Sequence, residues 1–389
     1  MKTNKGFDNL QHNYLFAEVA KRTQLHIAKY GDDKICRLGI GDVVQPLSPT
    51  VVLALEQASR QMGEVDTFKG YGEYSGYDFA KASLVDYYGC KGIDLDKGDV
   101  FVTDGAKSTL GLILDLFDKP CTVAIPNPVY PVYVDTNILN GNNIFYIDGN
   151  IQNNFLPQPP KTKVDIVYLC NPNNPTGNVY TRTQLQAWVD YALSNNSIIL
   201  YDSAYEAFVA PKDECYASSI FQINGAKLCC IEIGSLSKTA SFSGLRGGWI
   251  VISTTIRHNL NLLFNKLISF KTNGVSYLSQ VALSATLSTQ GMVHNYKNIK
   301  QYLDNAKILK GILTEKNIYN CGGVMSPYIW LQVPHNKSGW EFFDRLLKWG
   351  IVGTPGEGFG ENGKGFFRLS SFANIDDIYI ASQILYSNL

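Results

Sequence analysis

Long apolar runs, internal repeats and blocks of like charge are all missing from this chain of 389 residues. No window approaches the roughly 20 apolar residues that a membrane-crossing helix needs, which argues against a helical membrane protein. The absence of repeats and low-complexity tracts argues against a solenoid or a tethered tail. Lysine plus arginine (34) balance aspartate plus glutamate (34), so the chain has neither the basic footprint of a nucleic-acid binder nor an acidic tail. Histidine is scarce, at five residues, and shows no HExxH or other paired spacing, so no metal site is expected. The eight cysteines contain no CxxC pair, and several sit in apolar runs such as VDIVYLC, so they read as buried thiols. The opening MKTNKGFDNLQHNYLF has no apolar core of the secretory kind, and the expected location is cytoplasmic.

What is present is a large core. Hydrophobic residues make up 45% and charged residues 17%, which fits a compact body acting on small molecules. Between about residues 100 and 250, seven short apolar runs (DVFVTD, CTVAIP, NNIFYI, VDIVYLC, SIILYDS, KLCCIEIGS and GGWIVIS) alternate with helix-length segments. That alternation predicts an α/β fold with a mostly parallel sheet between helices, because runs that are apolar throughout suit strands covered on both faces. A helical stretch from about 258 to 315 leads into a final α+β segment. The expected division is residues 1–45 joining a small C-terminal domain over 291–389, with a large domain over 46–290. In open α/β sheets ligands bind beyond the carboxyl ends of the strands, which gathers GAK, NPNNPTG, DSAY and SLSK around one cleft.

These segments carry residues for a specific chemistry. Lys238, in GSLSKTASFSGLRGGW, sits among small and hydroxyl residues, a setting for a desolvated lysine that condenses with an aldehyde; taken alone, a lysine is more often a surface residue. Arg246, eight residues on, with Ser235 and Ser237 supplies a cation and hydroxyls suited to a phosphate. Asp202 ends the run SIILYD, where a carboxylate could pair with a protonated pyridine nitrogen, and Tyr205 and Asn174 could donate to a ring phenolic oxygen. Gly105, Ala106 and Lys107 lie between a strand and a helix, so their amides would face an anion, although such a dipeptide before a helix is also an ordinary cap. Tyr130 is a candidate to stack on the ring, or a core tyrosine. Arg368, in GFFRLSSF, needs an anion if buried: a substrate carboxylate, gripped with help from Asn174, or an internal salt bridge.

In this order the motifs GAK, NPxxPTG, DxAY and SxSK, with the arginine eight residues later and the late arginine, resemble the fold-type I aminotransferases that use pyridoxal 5′-phosphate. The resemblance covers most of the chain. It implies a seven-stranded, mostly parallel large-domain sheet, a lysine-bound cofactor, a ping-pong exchange between an amino acid and a 2-oxo acid, and a homodimer with active sites at the interface. Tyr71, in GYGEYSG, then reaches the neighbouring subunit's cofactor phosphate. More narrowly, NYLFAEVAKR, LGIGDVVQP, KGYG, NPVYPVY, SLSKTASFSG and FKTNGVSYLSQ are similar to LL-diaminopimelate aminotransferases, a resemblance that implies substrate-site roles for Tyr14, Gly41, Lys107 and Asn273. It also implies lysine biosynthesis, with 2-oxoglutarate as the acceptor. One departure stands out: the acidic residue that faces the distal ammonium in that group is Tyr74 here, with Glu73 beside it. The same fold also hosts racemases, decarboxylases, C–S lyases and non-catalytic cofactor-binding modules, which the residues alone leave open.

Overall fold

The computed structural model describes residues 1–10, 15–31, 35–39, 41–209 and 213–389. In chain order the strands are Cys36–Arg37 (β1), Val100–Thr103 (β2), Thr122–Asn127 (β3), Asn143–Asp148 (β4), Ile166–Cys170 (β5), Ile198–Asp202 (β6), Cys230–Ser235 (β7), Gly248–Ile252 (β8), Asn320–Gly322 (β9), Tyr328–Gln332 (β10), Ile351–Val352 (β11), Thr354–Pro355 (β12) and Phe366–Ser370 (β13). All seven apolar runs identified in the sequence become strands of one sheet, ordered β2-β8-β7-β6-β5-β3-β4. Six run parallel and β8 alone runs against them, paired antiparallel to both β2 and β7.

The uniform apolar character of these strands has a direct structural consequence. Alternate side chains leave opposite faces of a strand, so Val167, Leu169, Ile199 and Tyr201 enter one core, with Trp188 and Trp249. Ile166, Tyr168, Ile198 and Leu200 enter the other, with Phe264 and Tyr302. Helices Asp78–Gly89 and Arg182–Asn195 cover the first face, and Pro131–Asn140 and Leu260–Lys271 the second.

A second sheet, β12-β13-β10-β9, is antiparallel, and β1 pairs in parallel with β11 beside it. The N-terminal segment is stitched to this sheet by backbone bonds from Leu38 to Val352 and from Ser370 to Leu38. Helix Thr289–Glu315 connects the two bodies: Ile299 and Tyr302 pack in the core of the large sheet, while Ala306, Leu309 and Leu313 pack in that of the small one. No helix among the described residues is long and apolar enough to cross a membrane.

Candidate active site

Strand register assembles the site. Cys170 lies opposite Asp202, Asp202 opposite Ile233, and Ser235 opposite Gly248, so β5 and β6 end level, β7 runs two residues further, and the loops after them open on one side. Because β8 runs the other way, Arg246 and Gly247 enter at this same edge, and Thr103 of β2 pairs with Gly248 to bring in Gly105. The resulting cavity, of about 390 Å³, is lined by Gly41, Ala106, Lys107, Tyr130, Asn174, Asp202, Tyr205, Ser235, Ser237, Lys238, Arg246 and Arg368.

Lys238 occupies the floor, where burial lowers its ammonium to about 8 from the usual 10.5, with Arg368 and Arg246 pushing the same way against the pull of Asp42. Its Nζ donates to the Gly41 carbonyl. Asp202 is buried; desolvation raises its carboxyl above the usual range, partly offset by bonds from Tyr133 Oη (2.5 Å) and the Ala204 amide (3.0 Å). Arg368 is 1% exposed, and donates to Asn174 Oδ1 (2.7 Å), the Gly39 carbonyl (2.7 Å) and Thr354 Oγ1 (3.4 Å). Since a guanidinium only donates, Asn174 turns its oxygen to Arg368, and its NH₂ is left for a ligand.

Arg246 has φ of 64°, a left-handed conformation that is costly outside glycine and gathers at functional sites. Its Nη1 reaches Ser237 Oγ at 3.4 Å. Gly105, at φ of 135°, makes the matching concession, because a Cβ there would fall 2.7 Å from Arg246 Nη2.

These residues fit pyridoxal phosphate. Among the described residues no ion pair forms at Asp202 or at Arg246, so a buried carboxylate and a guanidinium face one cavity without charged partners. Two such groups, with a lysine amine poised to lose its proton, suit a ligand that carries a cationic ring nitrogen, a phosphate and an aldehyde.

Two expected residues lie elsewhere, and a third is not among the described residues. Tyr71 is 89% exposed and Asn273 is exposed, both away from the Lys238 cavity, and Tyr14 falls outside the described residues. Glu73 and Tyr74 border a separate cavity of about 510 Å³, with Lys81 and Asn261. Sequence reasoning missed Tyr133, Tyr328 and Phe16. Tyr133 was within reach, three residues after Tyr130 in the same motif NPVYPVY, and Phe16 sits in NYLFAEVAKR without having been singled out, whereas Tyr328 comes from a distant segment with no motif of its own.

Fold and site together point to the class of pyridoxal-phosphate enzymes. The chain belongs to the family Aminotransferase class I and II, which it matches over residues 33–382, and it is accordingly a transaminase exchanging an amino group between an amino acid and a 2-oxo acid. It is 42% identical to an LL-diaminopimelate aminotransferase of Parabacteroides distasonis over 394 aligned residues, covering 96% of both chains. It is 40% identical to one of Lawsonia intracellularis, again over 96% of each. Among solved structures it superposes on the L,L-diaminopimelate aminotransferase of Chlamydomonas reinhardtii with a TM-score of 0.93 and 34% identity, covering 100% of this chain and 98% of that one.

Proposed function

We propose that this chain moves an amino group from LL-2,6-diaminopimelate to 2-oxoglutarate in lysine biosynthesis, as a cytoplasmic homodimer. The observation that carries the reaction is the convergence of Lys238, Asp202 and Arg368 on one cavity; the substrate is taken from the relatives. In the proposed division, residues 46–290 form the cofactor-binding domain, while 1–45 and 291–389 form the smaller one. Tyr71 and Asn273, exposed in the single chain, complete the neighbour's site, and Tyr14 joins Gly41 and Lys107 around the substrate.

Pyridoxal phosphate, when bound, supplies an aldehyde that accepts the amino group and a ring that withdraws electrons. Lys238 would hold it and, when freed by substrate, would be the group that takes up and gives back the substrate Cα proton, a role that a depressed lysine pKa favours near neutral pH. Asp202 keeps a proton on the ring nitrogen, and Tyr133 holds that carboxylate in place. Asn174 and Tyr205 would donate to the phenolic oxygen, Tyr130 would pack against the ring, and Ser235, Ser237, Arg246 and the amides of Gly105 to Lys107 would hold the phosphate. Arg368 grips the α-carboxylate in a two-pronged fork, which selects the Cα–H bond presented to Lys238.

The presence of Tyr74 where the resemblance calls for an acid favours a second reading, preference for an amino acid without a distal ammonium. Adding LL-diaminopimelate or glutamate separately to cofactor-loaded protein tests both readings. Pyridoxamine phosphate formed with each of the two donors supports the proposed pair. Conversion by glutamate alone discards diaminopimelate, and conversion by neither, with loss of the α-amino acid by another route, discards amino transfer.

A further inference from the structure

Tyr328 belongs to no motif of the cofactor site, yet it stands between the site's two most consequential polar groups. It is 1% exposed on β10 and lines the Lys238 cavity. Its hydroxyl lies 2.6 Å from the Tyr205 hydroxyl, with the two rings edge-on at 5.1 Å and 71°. Its ring face carries the Arg368 guanidinium at 4.3 Å. The backbone clears space for that hydroxyl: a Cβ at Gly41 would fall 2.1 Å from it. A tyrosine serving only to fill the core would not require a neighbouring backbone to give way to its polar tip.

Two phenols in contact share a single proton, so one donates and the other accepts. The direction follows from their surroundings. Burial raises both hydroxyls, and the Arg368 cation, 4.3 Å from the Tyr328 ring, opposes that rise at Tyr328 most directly, which favours Tyr328 as the donor. Resting on the site reading above, Tyr205 directs its own proton to the cofactor's phenolic oxygen, and its lone pair is then open to Tyr328.

We infer that Tyr328 is a positioning residue that donates to Tyr205 and thereby couples the carboxylate-gripping Arg368 to the hydrogen bond Tyr205 makes with the cofactor. A bond donated into a phenol strengthens the bond that phenol donates onward, typically by about 10–30%. Through this chain the Arg368 charge acts on the cofactor from a distance, lowering the pH at which the lysine-linked cofactor loses its proton.

The test is a pH titration of the cofactor's visible absorbance, without substrate, in the wild type and in Tyr205→Phe, Tyr328→Phe and the double variant. Phenylalanine keeps the ring beneath Arg368 and removes only the hydroxyl. The expected midpoint rises by about one unit in Tyr205→Phe and by about a third of that in Tyr328→Phe, because the second acts through the first. In the double variant the midpoint equals that of Tyr205→Phe. A midpoint unmoved by Tyr328→Phe while Tyr205→Phe shifts overturns the inference, as does a Tyr328 effect that persists undiminished in the double variant. A midpoint unmoved by Tyr205→Phe overturns the underlying site reading, and this inference with it.

Discussion

The depressed pKa of Lys238 makes the capture of cofactor by the empty enzyme depend on pH in a way that can be worked out from its surroundings. With a value of about 8, about half of Lys238 is free amine at pH 8, against about 0.3% for a lysine at the ordinary 10.5, an advantage of about 160-fold. The rate at which cofactor-free protein binds pyridoxal phosphate, followed by visible absorbance, should therefore rise about tenfold per pH unit up to about pH 8 and then level off. A lysine peptide in the same scan should keep climbing to about pH 10. The same shift bears on stability. Because the folded value lies below the unfolded one, the unfolded chain binds more protons between about 8 and 10.5, and stability grows with pH across that window. Burying the ammonium below pH 8 costs on the order of 3 kcal/mol, so Lys238→Met should raise the melting temperature of the cofactor-free protein at pH 7 and have little effect at pH 10.5. A capture midpoint above pH 9.5, or equal effects of Lys238→Met at both pH values, would refute the reasoning.

Two further changes probe the opposite ends of the cavity. Asp202→Asn removes a buried carboxylate whose charged form burial already disfavours, so the cofactor-free protein should melt no lower, while the amino-transfer half-reaction slows about 10- to 150-fold, as expected for the roughly 1.5–3 kcal/mol of a charge-assisted hydrogen bond; an unchanged half-reaction would remove Asp202 from the ring nitrogen. Gly105→Ala places a Cβ 2.7 Å from Arg246 Nη2 on a backbone at φ of 135°, and should weaken cofactor binding about tenfold or more in equilibrium dialysis. Wild-type affinity in that variant would take Gly105 and Arg246 out of the phosphate cradle.

Which parts of this could be read in advance followed from how local the signals are. Six of the seven strands were legible because burial on both faces demands uninterrupted apolar runs, a property of four to six consecutive residues, while β4, at the edge of the sheet and mostly exposed, was legible from its apolar run NNIFYI alone. Lys238, Asp202 and Asn174 could be placed at one cavity in advance because each ends or follows such a run, and parallel strands bring their ends together; Arg246 joins them because it precedes the one strand that runs the other way. Tyr133 was recoverable from its spacing to Tyr130. Tyr328 was not: it reads as one more aromatic in the apolar stretch PYIWLQV, and its value lies in meeting Tyr205, 123 positions earlier, and the face of Arg368.

By itself the sequence determined the α/β architecture, the candidate lysine and the order of the motifs around it, because these follow from side-chain type and short-range periodicity. Only the tertiary structure decided the environment of each group. It placed Lys238 where desolvation lowers its pKa, and set Arg368 against Asn174, Gly39 and Tyr328. It also left Asp202 and Arg246 facing one cavity without ion-pair partners among the described residues. Burial and electrostatic coupling depend on distances between segments far apart in the chain, and those distances exist only once the two sheets have packed together.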